Sequence, residues 1–316
     1  MSFLKPHIHL VILFFAVNPV QANGPADTGV PSAKSPFWQD VKNDSVFSIK
    51  SRKGYVPSLV HNLAFQATSP LRIRENDLFW IGGATIVTAS LMNSDPEIDR
   101  MFRPLKDRSR FLDGFTPHFT DLGDKYGFMM LAGFSAFSMA TGNNKAFRTS
   151  LLASQALICA GIWVRVGKVL TGRIRPLATY SNPEYNVGHF YGPFSQYGDD
   201  KENYQQDDFT SFPSGHTASA FAVATVFSRQ YSEYRAVPFI AYSLAGLVGV
   251  SRMVEHDHWA SDVFMGAVLG VLCGKQVTKN EKRLFPDRRY SERRIRSTFF
   301  PVNHAGIPGI GCMLSF

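Results

Sequence analysis

The sequence predicts an all-α protein, an antiparallel bundle of about six core helices embedded in a membrane. Three observations point there. Six apolar segments, at residues 78–94, 126–143, 149–167, 214–228, 236–251 and 260–274, are rich in Ala, Leu, Gly, Met and Phe and are longer than ordinary strands. No convincing strand ladder and no internal repeat accompanies them. Cations gather on alternate connections, so one side of an up-and-down arrangement is positive.

Lys5, the apolar stretch from Leu10 to Val17, and Val20-Gln21-Ala22 read as a signal peptide or signal anchor over residues 1–22. The chain is therefore expected to leave the cytoplasm. Residues 23–36 are rich in Gly, Pro, Ser and Ala, and residues 37–76 show no clear period, so 23–76 reads as an N-terminal linker or extension. The helical domain is expected over 77–275. Its segments are uncharged for only about 12 to 20 residues where a full crossing needs about 20. Mean hydropathy is −0.08, which keeps a soluble, exported bundle with an apolar core in play.

Loop charge favours the membrane. Lys145 with Arg148, and Arg229 with Arg235, follow the second and fourth segments. The loop over 177–212 carries six acids and one lysine, and the stretch over 95–125 is net −1. Residues 276–316 form a basic tail; 275–296 alone hold nine Lys/Arg against three acids. Six spans with a cytoplasmic tail place 23–76 in the cytoplasm, whereas a cleaved signal peptide places them outside, and the sequence leaves both open. The formal charge of +8 comes with no zinc-finger or RNA-binding signature, so no nucleic-acid partner is expected. Cys159 and Cys273 lie in apolar runs and read as buried, inert thiols; with Cys312 the count is odd and suggests no disulfide framework.

Three stretches carry chemistry. In Lys168-Val169-Leu170-Thr171-Gly172-Arg173-Ile174-Arg175-Pro176, Lys168 and Arg175 stand about two helical turns apart and can share a face, with Arg175 where Pro176 ends the helix. Arg165 and Arg173 fall off that face and read as structural or surface. In Pro213-Ser214-Gly215-His216, a proline suits the first helical turn. The free N–H groups there, with the Ser214 hydroxyl, can bind an anion, Gly215 admits close approach, and His216 can protonate a leaving oxygen. Ser251-Arg252 adds a third cation, and His258 stands four residues before Asp262. That spacing stacks the carboxylate beside the ring, where it fixes the tautomer and makes the other nitrogen a better nucleophile. In a bundle with short turns, Lys168, His216, Arg252 and Asp262 all fall at helix ends on one side, the side of the acidic 177–212 loop. Glu255-His256-Asp257-His258 contains metal-binding side chains, but they are consecutive and no further His/Cys pair stands at ligand spacing. No metal and no cofactor is assigned, and Glu255 and His256 are expected on the loop surface.

Lys-x6-Arg-Pro, Pro-Ser-Gly-His and Ser-Arg-x5-His-x3-Asp, in this order and at every motif position, resemble the type 2 phosphatidic acid phosphatase superfamily, which also contains the vanadium haloperoxidases. The resemblance covers the motifs over 168–262 and the helical pattern over about 78–274. It implies a metal-independent phosphatase built on a helical bundle. His258 would be the nucleophile with Asp262 its orienting partner, and His216 the acid and then the base. Lys168, Arg175, Arg252, Ser214 and the Gly215 amide would hold the phosphoryl oxygens. Export and a positive side favour a lipid phosphate of the cell envelope, such as phosphatidic acid, phosphatidylglycerol phosphate, undecaprenyl diphosphate or lipid A. The protein would sit in a bacterial-type inner membrane with its site facing the periplasm. The alternatives are a soluble exported periplasmic phosphatase acting on small phosphomonoesters and a vanadate-dependent haloperoxidase. The 177–212 loop, with five tyrosines, is expected to cover the site and shape specificity.

Overall fold

The computed structural model describes residues 54–108, 125–181, 185–197, 206–281, 296–304 and 307–315. The signal reading over 1–22 lies outside these residues. The helices are α1 (Tyr55–Ala67), α2 (Glu75–Arg108), α3 (Lys125–Thr141), α4 (Asn144–Thr171), α5 (Pro176–Ser181), α6 (Gly215–Gln230), α7 (Ala236–Val254) and α8 (Ala260–Lys279). All six apolar segments are helical, and they pack as the expected bundle around α6, which touches α4, α7 and α8.

Local sequence explains the key boundaries. Asn143 caps α4, its side chain accepting from the Ala146 N–H at 3.0 Å. Gly172 ends α4 in the left-handed conformation (φ 52°), its N–H bonded to the Lys168 carbonyl at 3.1 Å. A Cβ there would lie 1.8 Å from Ser195 Oγ and 2.4 Å from the Gly192 carbonyl oxygen, so glycine is required twice over. Gly266, Gly270 and Gly274 line one face of α8. A Cβ at each would fall within 2.8 Å of the carbonyl oxygen of Ser214, Ala218 or Ala222 respectively, so the backbones of α8 and α6 meet directly. Around this contact Leu152, Ala153, Ala156 and Ala160 of α4 pack with Ala218, Ala222 and Val226 of α6 and with Cys273 and Val277 of α8. Cys159 and Cys273 are both buried and unpaired.

Three elements differ from expectation. α1 forms inside the stretch read as linker and packs on α4 and α8. Its Asn62 bonds Gln155 at 2.9 Å and accepts from Gln276 and Asn280, while Gln66 bonds Gln276 at 2.7 Å and accepts from the Trp163 indole. Second, α2 runs through Pro96 and Pro104 to Arg108, well past the apolar run ending at 94. Third, Arg296–His304 (β1) and Ile307–Ser315 (β2) pair antiparallel, Arg296 opposite Ser315 and His304 opposite Ile307, where no strand ladder is expected from the sequence.

The bundle buries polar side chains beside its apolar core and exposes large apolar ones. Thr149, Gln155, Thr217 and Thr225 are fully buried, whereas Phe79 of α2 and Phe239 of α7 are each 75% exposed. α1 buries Ser58 and Asn62 and exposes Val56 and Val60. α4, α7 and α8 are long and apolar enough to cross a membrane; the apolar part of α3, Met129–Thr141, is shorter. At one end of the bundle, Lys145 at the start of α4 pairs with Glu233 in the α6–α7 connection.

Candidate active site

At the other end four helix termini are tied together by backbone bonds. The Ser214 N–H donates to the Asp262 carbonyl at 3.0 Å, joining the start of α6 to the start of α8. Ser211 N–H reaches the Arg173 carbonyl at 3.0 Å, and Leu177 N–H reaches the His256 carbonyl at 2.9 Å. The Trp259 indole donates to the Ile174 carbonyl at 2.8 Å, so the segment after α4 is pinned to the segment before α8. These bonds bring the Lys168–Arg175, Ser214–His216 and Arg252–Asp262 stretches to one place. Arg175 and Lys168 both lie close enough for their charge to act on His258.

His258 precedes the helix rather than standing on it. Trp259 is the N-cap of α8, and Asp262, its third residue, accepts the Trp259 N–H at 2.9 Å. Helical i, i+4 stacking therefore does not describe this pair. Nδ1 of His258 bonds the Ser211 carbonyl oxygen at 2.7 Å, and Asp262 Oδ2 lies 3.9 Å from the same nitrogen. A carbonyl can only accept, so Nδ1 carries the proton and Nε2 keeps a lone pair. Asp262 instead receives the Ser211 hydroxyl at 2.5 Å, so Ser211 stands between carboxylate and ring. Burial first, then the nearby charges of Lys168 and Arg175, push His258 down to about 3 against the opposing pull of Asp262, so the ring is neutral.

The residues expected from the sequence to bind an anion stand at the same helix ends. Ser214 is the N-cap of α6 but caps no first-turn amide with its side chain, which instead meets Thr217 Oγ1 at 2.9 Å. The helix thus begins at Gly215, and Pro213 lies before the cap, not in the first turn, behind a cis Phe212–Pro213 bond. His216 is the second residue of α6 and is half-buried. Lys168 sits in the last turn of α4. Arg175 follows in the short link before α5, not on a shared helical face, because Gly172 has already turned the backbone. Its guanidinium bonds Asp257 at 3.1 Å and Thr210 Oγ1 at 3.1 Å, while its Nε is buried with no hydrogen-bond partner among the described residues. Arg252 pairs with Glu255 at 2.5 Å and with Asp257.

Several residues without a sequence signal complete the site. Arg173 is 1% exposed, so of its two readings, structural or surface, the structural one holds. It bonds Asp262, Ser261 at 2.6 Å and Asp95 at 2.7 Å, and Asp95 also takes the Ser261 N–H at 3.0 Å. A guanidinium between two buried carboxylates thus fixes Asp262. His256 is buried, not on the loop surface. Its left-handed backbone (φ 59°) is held by an Asp99 bond to Nδ1 at 2.8 Å and by edge contact with Tyr180. Both acids come from the part of α2 beyond residue 94. Of the 177–212 loop, Tyr185, Tyr191 and Phe209 cluster on Ile174 and Ala178, and Tyr197 accepts from Arg165.

The PAP2 superfamily model matches residues 149–285. Over 128 residues the chain is 37% identical to a lipid A 1-phosphatase of Porphyromonas gingivalis, covering 40% of this chain and 22% of that protein. It is 33% identical over 120 residues to a probable diacylglycerol pyrophosphate phosphatase 1 of Schizosaccharomyces pombe, covering 32% and 42%. The chain thus spans less than half the length of these curated relatives. The crystal structure of Aquifex aeolicus LpxE superposes with a TM-score of 0.41 at 27% identity, covering 58% of this chain and 94% of that one. All the motif residues that converge at this end of the bundle lie inside residues 149–285, the segment that matches the PAP2 superfamily model.

Proposed function

We propose that the chain is a phosphatase that removes a phosphate group from a lipid through a phosphohistidine intermediate. The observation that carries this reading is the state of His258: buried, neutral, with Nδ1–H spent on the Ser211 carbonyl and Nε2 left as a nucleophile among cations. Nε2 attacks phosphorus as the bond to the leaving oxygen breaks, and His216 gives that oxygen its proton. Water then attacks the phosphohistidine, the N–P bond breaks, and His216 takes the proton back. Lys168, Arg175, Arg252, Ser214 and the uncapped first-turn amides of α6, from Gly215 onward, neutralise the transferring group. Asp262, held by Arg173, fixes Ser211 and through it the ring.

A lipid substrate is supported by the large apolar side chains exposed on the bundle, by its long apolar helices and by the names of the relatives, both phosphatases of phosphorylated lipids. Lys145 and the α6–α7 connection stand at one end, and the described part of the 177–212 stretch, with Asp207 and Asp208, stands at the other with the site; with the acidic composition of that stretch, this favours an inner-membrane protein whose site faces the periplasm. The test is phosphate release, with EDTA present, from phosphatidic acid, phosphatidylglycerol phosphate, undecaprenyl diphosphate and lipid A, beside p-nitrophenyl phosphate as a small ester. Lipid turnover is expected, with His258→Ala slower by about 10³-fold or more. A fully active His258→Ala variant, or vanadate-dependent halide oxidation with peroxide, overturns the reading.

A further inference from the structure

Asp257 has no role in the scheme above, yet among the described ion pairs it is the carboxylate shared by Arg175 and Arg252. Its Oδ1 accepts from Arg175 at 3.1 Å and its Oδ2 from Arg252, two side chains from opposite ends of the motif set. It does so from the position next to His258, in a loop closed by its own N–H on the Arg252 carbonyl at 3.2 Å. The Arg175 guanidinium is held at two corners, Nη1 by Asp257 and Nη2 by Thr210, and its third donor, Nε, is buried without a partner among the described residues. A planar fork fixed at two corners offers the remaining edge in one direction only. A buried N–H without an acceptor is unfavourable until something accepts from it, and a phosphoryl oxygen supplies that acceptor.

Resting on the reading that this site takes a phosphoryl group, we infer that Asp257 is a positioning residue: it braces Arg175 and Arg252 from behind and aims the free Arg175 edge at the phosphoryl oxygens. The brace stays charged in use. Burial raises the Asp257 carboxyl, but Arg252 and Arg175 outweigh it and hold the group below the usual carboxylate range. Because the brace and the nucleophile are adjacent in the chain, the distance between the Arg175 fork and His258 is fixed by one short loop. The rival role is a placeholder anion that fills the cation pair and leaves when phosphate arrives. The two roles have opposite consequences. Losing a brace weakens the grip on the transferring group, whereas losing a placeholder strengthens it.

The full chain in detergent, as wild type, Asp257→Asn, Asp257→Glu and Thr210→Val, is assayed for kcat and KM on a lipid phosphate and for inhibition by orthovanadate, with melting temperature read in parallel. Asp257→Asn is expected to lower kcat and raise the vanadate inhibition constant by about ten-fold or more, with KM and melting temperature changing far less. Asp257→Glu recovers part of the loss. Tighter vanadate binding or an unchanged kcat in Asp257→Asn overturns the brace. If Asp257→Asn does not fold, Thr210→Val, which frees the other corner of the same guanidinium, decides: a loss of vanadate affinity supports the brace and no change overturns it. A wild-type chain that releases no phosphate sinks the phosphatase reading instead, and orthovanadate binding to the same variants by calorimetry still tests the brace.

Discussion

Arg173 carries more of the site's architecture than any residue that touches the substrate in the proposed scheme. It holds two carboxylates, Asp95 and Asp262, in a region closed to water. Breaking a buried ion network by removing one partner strands the other charges, so Arg173→Met is expected to destabilise the protein by about 3–5 kcal/mol, read by denaturation in detergent. Protonation of His258 supplies a second prediction. Its folded value of about 3 lies below the ordinary 6.5, so between those values the folded chain binds fewer protons than the unfolded chain. The stability tied to neutral His258 is complete above about pH 6.5 and is lost as pH falls toward 3; His258→Gln should flatten that acid limb. That the stretches holding Lys168, Arg175, His216, His258 and Asp262 meet at one end of the bundle is legible in the sequence, because each stands at the end of an apolar run and the runs alternate in direction. Arg173 is not, because helical phase counts only while the helix lasts, and Gly172 ends it one residue too early. Ser211 is not, because its backbone carbonyl does the work, and a carbonyl leaves no trace in a sequence.

Among the elements, the α6–α8 contact sets where Ser214 and Asp262 meet. Gly270→Ala puts a methyl 2.3 Å from the Ala218 carbonyl oxygen, with further backbone beside it. A loss of about 1–3 kcal/mol is expected, along with reduced turnover. Gly82→Ala, on α2, has open space around it and should leave melting temperature and turnover unchanged or slightly raised. The six core helices and their approximate ranges are legible from apolar runs. The second half of α2 is not, because Pro96 and Pro104 each remove a backbone donor and read as stops. What carries the helix past Pro96 is tertiary: Asp95 is bonded to Arg173 and Ser261, and Asp99 to His256. α1 escapes for a different reason. Ser58 and Asn62 share its inward side with Leu59 and Leu63, while Val56 and Val60 are exposed, so no clean apolar stripe marks the buried face.

For the whole molecule, orientation is the quantity to measure. With the three native cysteines replaced, a thiol placed by Asn186→Cys is expected to react with an impermeant maleimide in intact cells, and one placed by Glu233→Cys only after lysis. The reverse pattern overturns the proposed sidedness. The amide network beneath α1 also carries information about time. Among the described helices α1 is the first to be synthesised, yet Asn62 and Gln66 find their partners Gln276 and Asn280 between 210 and 218 residues later. Through most of translation those amides have only α4 to bond to, so the first helix is not fully docked until the last one emerges. A chain cut short before α8 therefore leaves the Asn62 side-chain carbonyl oxygen and the Gln66 amide without the Gln276 and Asn280 partners that hold them in the finished fold.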